Sequence, residues 1–142
     1  MIRIATVEEA HVVFSNIPEL ERYLSIGEMA AKIIPGSLIL VDELQGELVG
    51  FKIGYPLNEV EFYSWLGGVL PKYRKTGSAQ KLLEFQEHYV REQGYHSLSV
   101  KSQNQFPSML RLLIRNGYHI TDVVEYGHKQ NERICFTKLL NE

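Results

Sequence analysis

The chain has 142 residues, of which 44% are hydrophobic and 23% charged, with a formal charge of −2. This length suits one domain, spanning 1–142, with a real core of its own. Near-neutrality excludes bulk attraction to nucleic acid or an anionic membrane, so any polyanion must be held by a local patch.

In chain order, "IRIA" (Ile2 to Ala5) reads as a short strand. Thr6 followed by Glu8 and Glu9 marks a helix start, with a capping hydroxyl and acids in the first turn. Ala10, Val13, Phe14 and Ile17 give that helix an apolar face, and Pro18 interrupts it. A second helical stretch is expected over Pro18 to Ile33, hinged near Ser25 to Gly27. "SLILVDEL" and "ELVGFKIGY" alternate as strands and meet at Gln45-Gly46, a hairpin signal. "VEFYSWLGGVL" continues in the same aromatic, β-rich manner. The period then changes: Ala79, Leu82, Leu83, Tyr89 and Val90 share a helix face that Gly94 stops. "HSLSVKS" is a strand, and "FPSMLRLLIRNGY" a helix with Pro107 in its first turn and Asn116-Gly117 at its end. "YHITDVVEY" and "RICFTKLL" close the chain as strands around the loop "GHKQNE". The fold class is α/β (α+β): a mostly antiparallel sheet of about seven strands with about four helices.

Cys135 is the only cysteine, so no internal disulfide can form. In "ICFTKLL" it reads as a small buried hydrophobe rather than a nucleophile, and it suits a reducing compartment. No apolar run approaches the roughly 20 residues of a membrane span, and the N-terminus lacks a signal-peptide pattern. A cytoplasmic protein without membrane or nucleic-acid partners is expected. The five histidines form no metal pattern, since Glu84 and His88 make one i,i+4 pair without a third ligand.

The chemistry concentrates at "GGVLPKYRKTGSAQKLLEFQ". Between Phe62 and Leu83 stand Lys72, Arg74, Lys75 and Lys81, with no acid among them. Free amides and the dipole already make a helix N-terminus positive, so added cations there are unfavourable unless an anion binds. Gly77, followed by the small residues Ser78 and Ala79, lets backbone approach such an anion closely. The turn is neither a P-loop nor a dinucleotide fingerprint. It fits "[RQ]-x-x-G-x-[GA]" as Arg74-Lys75-Thr76-Gly77-Ser78-Ala79, preceded by "V-L-P-K-Y" from Val69.

With these residues and the element order above, most of the chain resembles the GNAT superfamily of acyl-CoA-dependent N-acyltransferases. The resemblance implies acetyl-CoA as co-substrate. Val69 and Leu70 would offer backbone to its pantetheine arm. The amides of Lys75, Thr76, Gly77, Ser78 and Ala79, with the Arg74 side chain, would hold its pyrophosphate. Asn104 would be a further cofactor contact and would cap the following helix. The general base or its water relay would come from the strand before Val69. Its inward set, counted back from Val69, is Trp65, Tyr63 and Glu61, with a bulge expected at Gly67-Gly68. Glu61 is the candidate base and Tyr63 its hydrogen-bonding neighbour. Where many relatives carry a tyrosine that protonates the leaving thiolate, this chain has Leu113; Tyr118 and Tyr126 stand nearby.

The reading is an N-acetyltransferase acting on a primary amine of a small molecule or peptide by direct attack. The acceptor would enter between Pro18–Ile33 and the last hairpin, where Glu19, Glu21, Glu28 and Glu125 suit a cationic group. The alternative is a regulatory protein that binds acyl-CoA without turnover. A nucleotide- or RNA-binding domain is a third reading, which the overall charge disfavours. Strands near the C-terminus make a homodimer reasonable.

Overall fold

The computed structural model describes residues 1–20, 24–125 and 132–140. Seven strands form one sheet in the order β1-β2-β3-β4-β5-β7-β6. They are β1 (Ile2–Ile4), β2 (Leu38–Leu44), β3 (Glu47–Pro56), β4 (Glu61–Val69), β5 (Ser97–Ser102), β6 (His119–Val124) and β7 (Arg133–Leu139). Every neighbouring pair is antiparallel except β4 and β5, which run parallel.

Helices cover both faces. On one face α1 (Val7–Phe14) and α2 (Ile26–Ala30) bury Ala10, Val13, Phe14 and Met29 against Val41, Phe51 and Ile53. On the other, α3 (Ser78–Glu92) and α4 (Pro107–Arg115) bury Leu82, Leu83, Val90 and Leu113 against Leu40, Phe62, Leu98 and Phe136. The strand period of two sends alternate residues to these two cores.

Local signals act as their chemistry dictates. Thr6 and Glu9 close a reciprocal capping box on α1, and Ser25 and Glu28 close one on α2. Gln45 and Gly46 both take positive φ, 51° and 83°, the pair that a tight β2–β3 hairpin requires. Of the helical stretch expected over Pro18 to Ile33, hinged near Ser25 to Gly27, the described residues form the five-residue α2, which starts at that hinge with Ser25 as its N-cap. The tip of the last loop, 126–131, lies outside the described residues.

Candidate active site

The cationic turn leads from β4 into α3 through a short 3-10 segment, Pro71–Tyr73. Lys75 and Gly77 both adopt left-handed backbone, with φ of 64° and 88°. Two such residues within three positions fold the chain back and turn successive amides toward one point, as an anion-binding nest does. Thr76 locks the turn by donating its hydroxyl to the Tyr73 carbonyl at 2.5 Å. Gly77 occupies the N-cap position, no side chain caps α3, and no acid stands in its first turn. The first amides of this 15-residue helix therefore lack partners. A Cβ on Gly77 would meet nothing within 4 Å, so the space above the turn is open.

Side chains around the turn are already committed. Ser78 Oγ turns inward and donates to the buried Asp42 at 2.7 Å, leaving only its amide for a ligand. Arg74 pairs with Glu19, and this guanidinium hydrogen bond holds the Glu19 carboxyl below the usual carboxylate range. Lys72 lies 3.7 Å from Glu47 and over the Tyr73 ring. Lys75 and Lys81 have no ion-pair partner among the described residues.

Beside this turn the sheet opens. β4 and β5 pair only from Glu61–Ser97 to Ser64–Val100, while β4 runs on to Val69. The β5-facing backbone of the last five residues of β4 is thus released from the ladder. Val69 and Leu70 sit at the end of this free edge, just before the cationic turn.

The bulge in β4 is not where the glycine pair suggests. Ile53 pairs with Leu66 and Gly54 with Ser64, so the extra residue is Trp65. The bulge reverses parity, and counting back from Val69 fails. Gly67, Ser64 and Phe62 share the face of Val69, toward α3. Trp65, Tyr63 and Glu61 share the opposite face. Gly67 and Gly68 serve close packing instead: a Cβ on Gly68 would come within 2.7 Å of Ile17 Cδ1, and one on Gly67 within 3.4 Å of Lys52 Cγ.

Glu61 and Tyr63 nevertheless meet, lining a cavity of about 390 Å³ with Tyr55, Lys101, Asp122 and Thr137. Tyr63 packs edge-on to Tyr55 at 5.5 Å, and Lys101 Nζ lies 5.9 Å from the Tyr63 ring centre. Glu61 stands three register steps, about 10 Å, before the point where β4 and β5 part. Tyr63 is one step from it. Tyr55, Lys101 and Asp122 were missed by sequence reasoning because they lie on three strands that become neighbours only in the sheet. Cys135, expected in the core, is half-buried and lines the same cavity.

The later helix departs from expectation. Its N-cap is Phe106, without a side-chain cap; Asn104 instead donates to Glu132 at 3.2 Å. Leu113 is fully buried in the core. Tyr118 is equally unavailable as a free acid, since its hydroxyl donates to Glu87 at 2.7 Å within the core. Burial and the Glu87 carboxylate both push the Tyr118 hydroxyl well above its ordinary pKa. Of the acids proposed to meet a cationic acceptor, Glu19 holds Arg74 and Glu28 caps α2, while Glu125 is exposed. Glu21 and Tyr126 lie outside the described residues.

An uncapped helix start with cations around it thus stands next to a strand edge that has left its ladder. The model of the acetyltransferase (GNAT) family matches residues 6–118. The chain belongs to the GNAT acetyltransferase family. No curated protein matches it. Among solved structures it is similar to Ard1 from Thermoplasma volcanium, with 20% identity, TM-score 0.88, and coverage of 100% of this chain and 98% of that one. It is also similar to the ribosomal-protein-S18-alanine N-acetyltransferase from Escherichia coli, with 14% identity, TM-score 0.89 and coverage of 100% and 94%. An aminoglycoside 6'-N-acetyltransferase complexed with coenzyme A shares 15% identity, TM-score 0.82 and coverage of 100% and 98%. At these identities the likeness shows the fold. Acetyl-CoA is the co-substrate that comes with the family, and the open space over Gly77 with its partnerless amides fits a pyrophosphate.

Proposed function

We propose that this chain transfers an acetyl group from acetyl-CoA to a primary amine of a small molecule or peptide by direct attack. The observation that carries the reading is the adjacency of the uncapped start of α3 to the free edge of β4. The amides from Lys75 to Ala79 take the pyrophosphate, joined by Arg74 once it leaves Glu19. Val69 and Leu70 offer backbone to the pantetheine arm, and Asn104, between β5 and α4, is a further contact. The arm then points the thioester into the gap between β4 and β5.

The acceptor reaches the thioester from the opposite face, where Glu61 and Tyr63 line the cavity. Attack requires a neutral amine, so a proton must leave the attacking nitrogen. Glu61 is the base, acting through water across the remaining distance, and Tyr63 orients that water. Two carboxylates, Glu61 and Asp122, against the single ammonium of Lys101 favour a cationic acceptor in this cavity. The similar structures include enzymes for an aminoglycoside and for a ribosomal-protein alanine, both amine acceptors. Among the described residues no helix is long and apolar enough to cross a membrane, and with one free cysteine the chain suits the cytoplasm. Ile120 and Val123 on the outer strand β6 face solvent, which supports a homodimer covering that edge.

The test is to mix the protein with acetyl-CoA and a panel of small-molecule and peptide amines and to follow free thiol. Amine-dependent thiol release is expected. Tight acetyl-CoA binding with no release from any amine would replace this reading by that of an acyl-CoA-binding regulator.

A further inference from the structure

The face of β3 toward α3 holds an unusual polar group. Lys52 is 6% exposed, and no hydrogen bond or ion pair holds its ammonium among the described residues. Its cross-strand partners are Leu40 on β2 and Gly67 on β4, neither of them charged. The Lys52 stem folds over Gly67, with Nζ 3.6 Å from where a Cβ would stand on that glycine. A Cβ at Gly67 would touch the Lys52 stem and come within 3.2 Å of the Phe51 carbonyl oxygen. Gly67 belongs to the part of β4 that has parted from β5, two residues before Val69.

A second observation marks the same region. Gln86 of α3 is fully buried, and neither its amide nitrogen nor its oxygen has a partner. It packs on Gly54, two residues after Lys52 on the same face of β3, with Nε2 2.9 Å from the position of a Cβ there. Gly54 in turn pairs with Ser64, the residue at which β4 and β5 separate. A buried amide without partners is costly to the fold. The charged group acting on Lys52 is Glu87 of α3, already engaged by Tyr118 and by Lys138 at 3.1 Å. Burial holds the Lys52 amine down at about 8, near the ordinary value for a thiol, about 8.5.

We propose that Lys52 is the proton donor to the departing coenzyme A thiolate, the task for which Leu113 leaves no hydroxyl. The inference rests on the transferase reading above. The acceptor nitrogen bonds to the thioester carbonyl carbon and loses its proton on the Glu61 side. The carbon–sulfur bond then breaks with its electron pair on sulfur. Lys52 passes a proton from Nζ to that sulfur, and the neutral amine regains one from solvent. The amine lies over the bare Cα of Gly67, on the part of β4 that has left β5.

The test compares wild type with Lys52→Met, which keeps the length of the side chain without its charge. Removal of an unpaired buried ammonium leaves a well-packed core, so this variant should fold, as thermal melting will check. Coenzyme A itself is the probe: its bound thiol is titrated by thiolate absorbance. The thiol should be more acidic in the wild-type complex by roughly one pH unit, while coenzyme A affinity changes less than about threefold. With an active amine, Lys52→Met should lower kcat about 100-fold, and the fall of wild-type turnover at high pH should vanish. An unchanged thiol titration overturns the proposal whatever the turnover. Wild type that binds coenzyme A but acetylates no amine overturns the transferase reading instead, and the thiol titration still decides whether Lys52 faces the sulfur. Failure to bind coenzyme A overturns both.

Discussion

Ser78, the first residue of α3, donates its hydroxyl into the sheet to Asp42, 2.7 Å away, instead of to the cationic turn it belongs to. Asp42 is 2% exposed and also receives the Met1 amine at 2.9 Å. The bond pins the start of α3 to β2 and so fixes where its free amides point. Asp42→Ala leaves the Ser78 hydroxyl buried without an acceptor, a loss of about 1–3 kcal/mol. Chemical denaturation should show that loss, and calorimetric titration should show weaker coenzyme A binding. Asp42→Asn keeps an acceptor and should keep most of the affinity.

Gly77 tests the turn itself. Its φ of 88° is strained for any other residue, but a Cβ there meets no atom within 4 Å. Gly77→Val should therefore cost only about 1–2 kcal/mol of stability, from backbone strain. The valine would occupy the open space over the amides, and coenzyme A binding should fall at least about 100-fold. Full affinity in a folded Gly77→Val protein would place the phosphate elsewhere.

Arg74 faces two claimants, Glu19 and the pyrophosphate. The Glu19–Arg74 pair is half-exposed, and such pairs hold by no more than about 1 kcal/mol. Glu19→Gln should free the guanidinium and tighten coenzyme A binding about two- to fivefold at low salt, with the gain shrinking as salt rises. Arg74→Ala should weaken binding and abolish the response to Glu19→Gln, the signature of a shared partner.

Glu61 is tested by separating chemistry from binding. Glu61→Gln should leave coenzyme A affinity unchanged and reduce kcat about 100-fold, by the usual contribution of a general base. Tyr63→Phe, which keeps the ring packed on Tyr55, should have a smaller effect on kcat. Equal turnover across pH for Glu61→Gln and wild type would leave the base to the other carboxylate of the cavity, Asp122.

The cofactor half of this site was legible because it is local. Arg74 to Ala79 are contiguous, and helix-start physics explains their charge, their glycine and their missing cap together. The element order was legible for the same reason: capping boxes, a Gln45-Gly46 turn and helical periods all act within a few residues. The catalytic half was not. One extra residue at Trp65 exchanged the two faces of β4, and no glycine or proline advertises it in the sequence. Lys52 was invisible for a further reason: within "ELVGFKIGY" a lysine reads as the solvent-facing member of an alternating strand. Only the covering by α3 buries that face, and the stem then lies over Gly67, fifteen residues on.

The same lysine sets a pH dependence of stability. Burial lowers its pKa from 10.5 to about 8 in the folded protein. Between those values the unfolded chain binds more protons than the folded one, so stability must rise with pH across that window. Below about 8 both states carry the ammonium, and the full penalty of burying it is present. The penalty is about 3.4 kcal/mol, at 1.36 kcal/mol per pH unit. Lys52→Met removes it. The variant should be more stable than wild type near pH 7, and the difference between them should shrink steadily from pH about 8 to 10.5. Taking the difference between the two proteins removes what every group other than Lys52 contributes. A difference that stays flat across the window would mean that the ammonium is solvated after all, and would leave its pKa too high for proton transfer to a thiolate near neutrality. Greater stability with slower turnover in one variant is the pattern of a residue kept for chemistry at a cost to the fold.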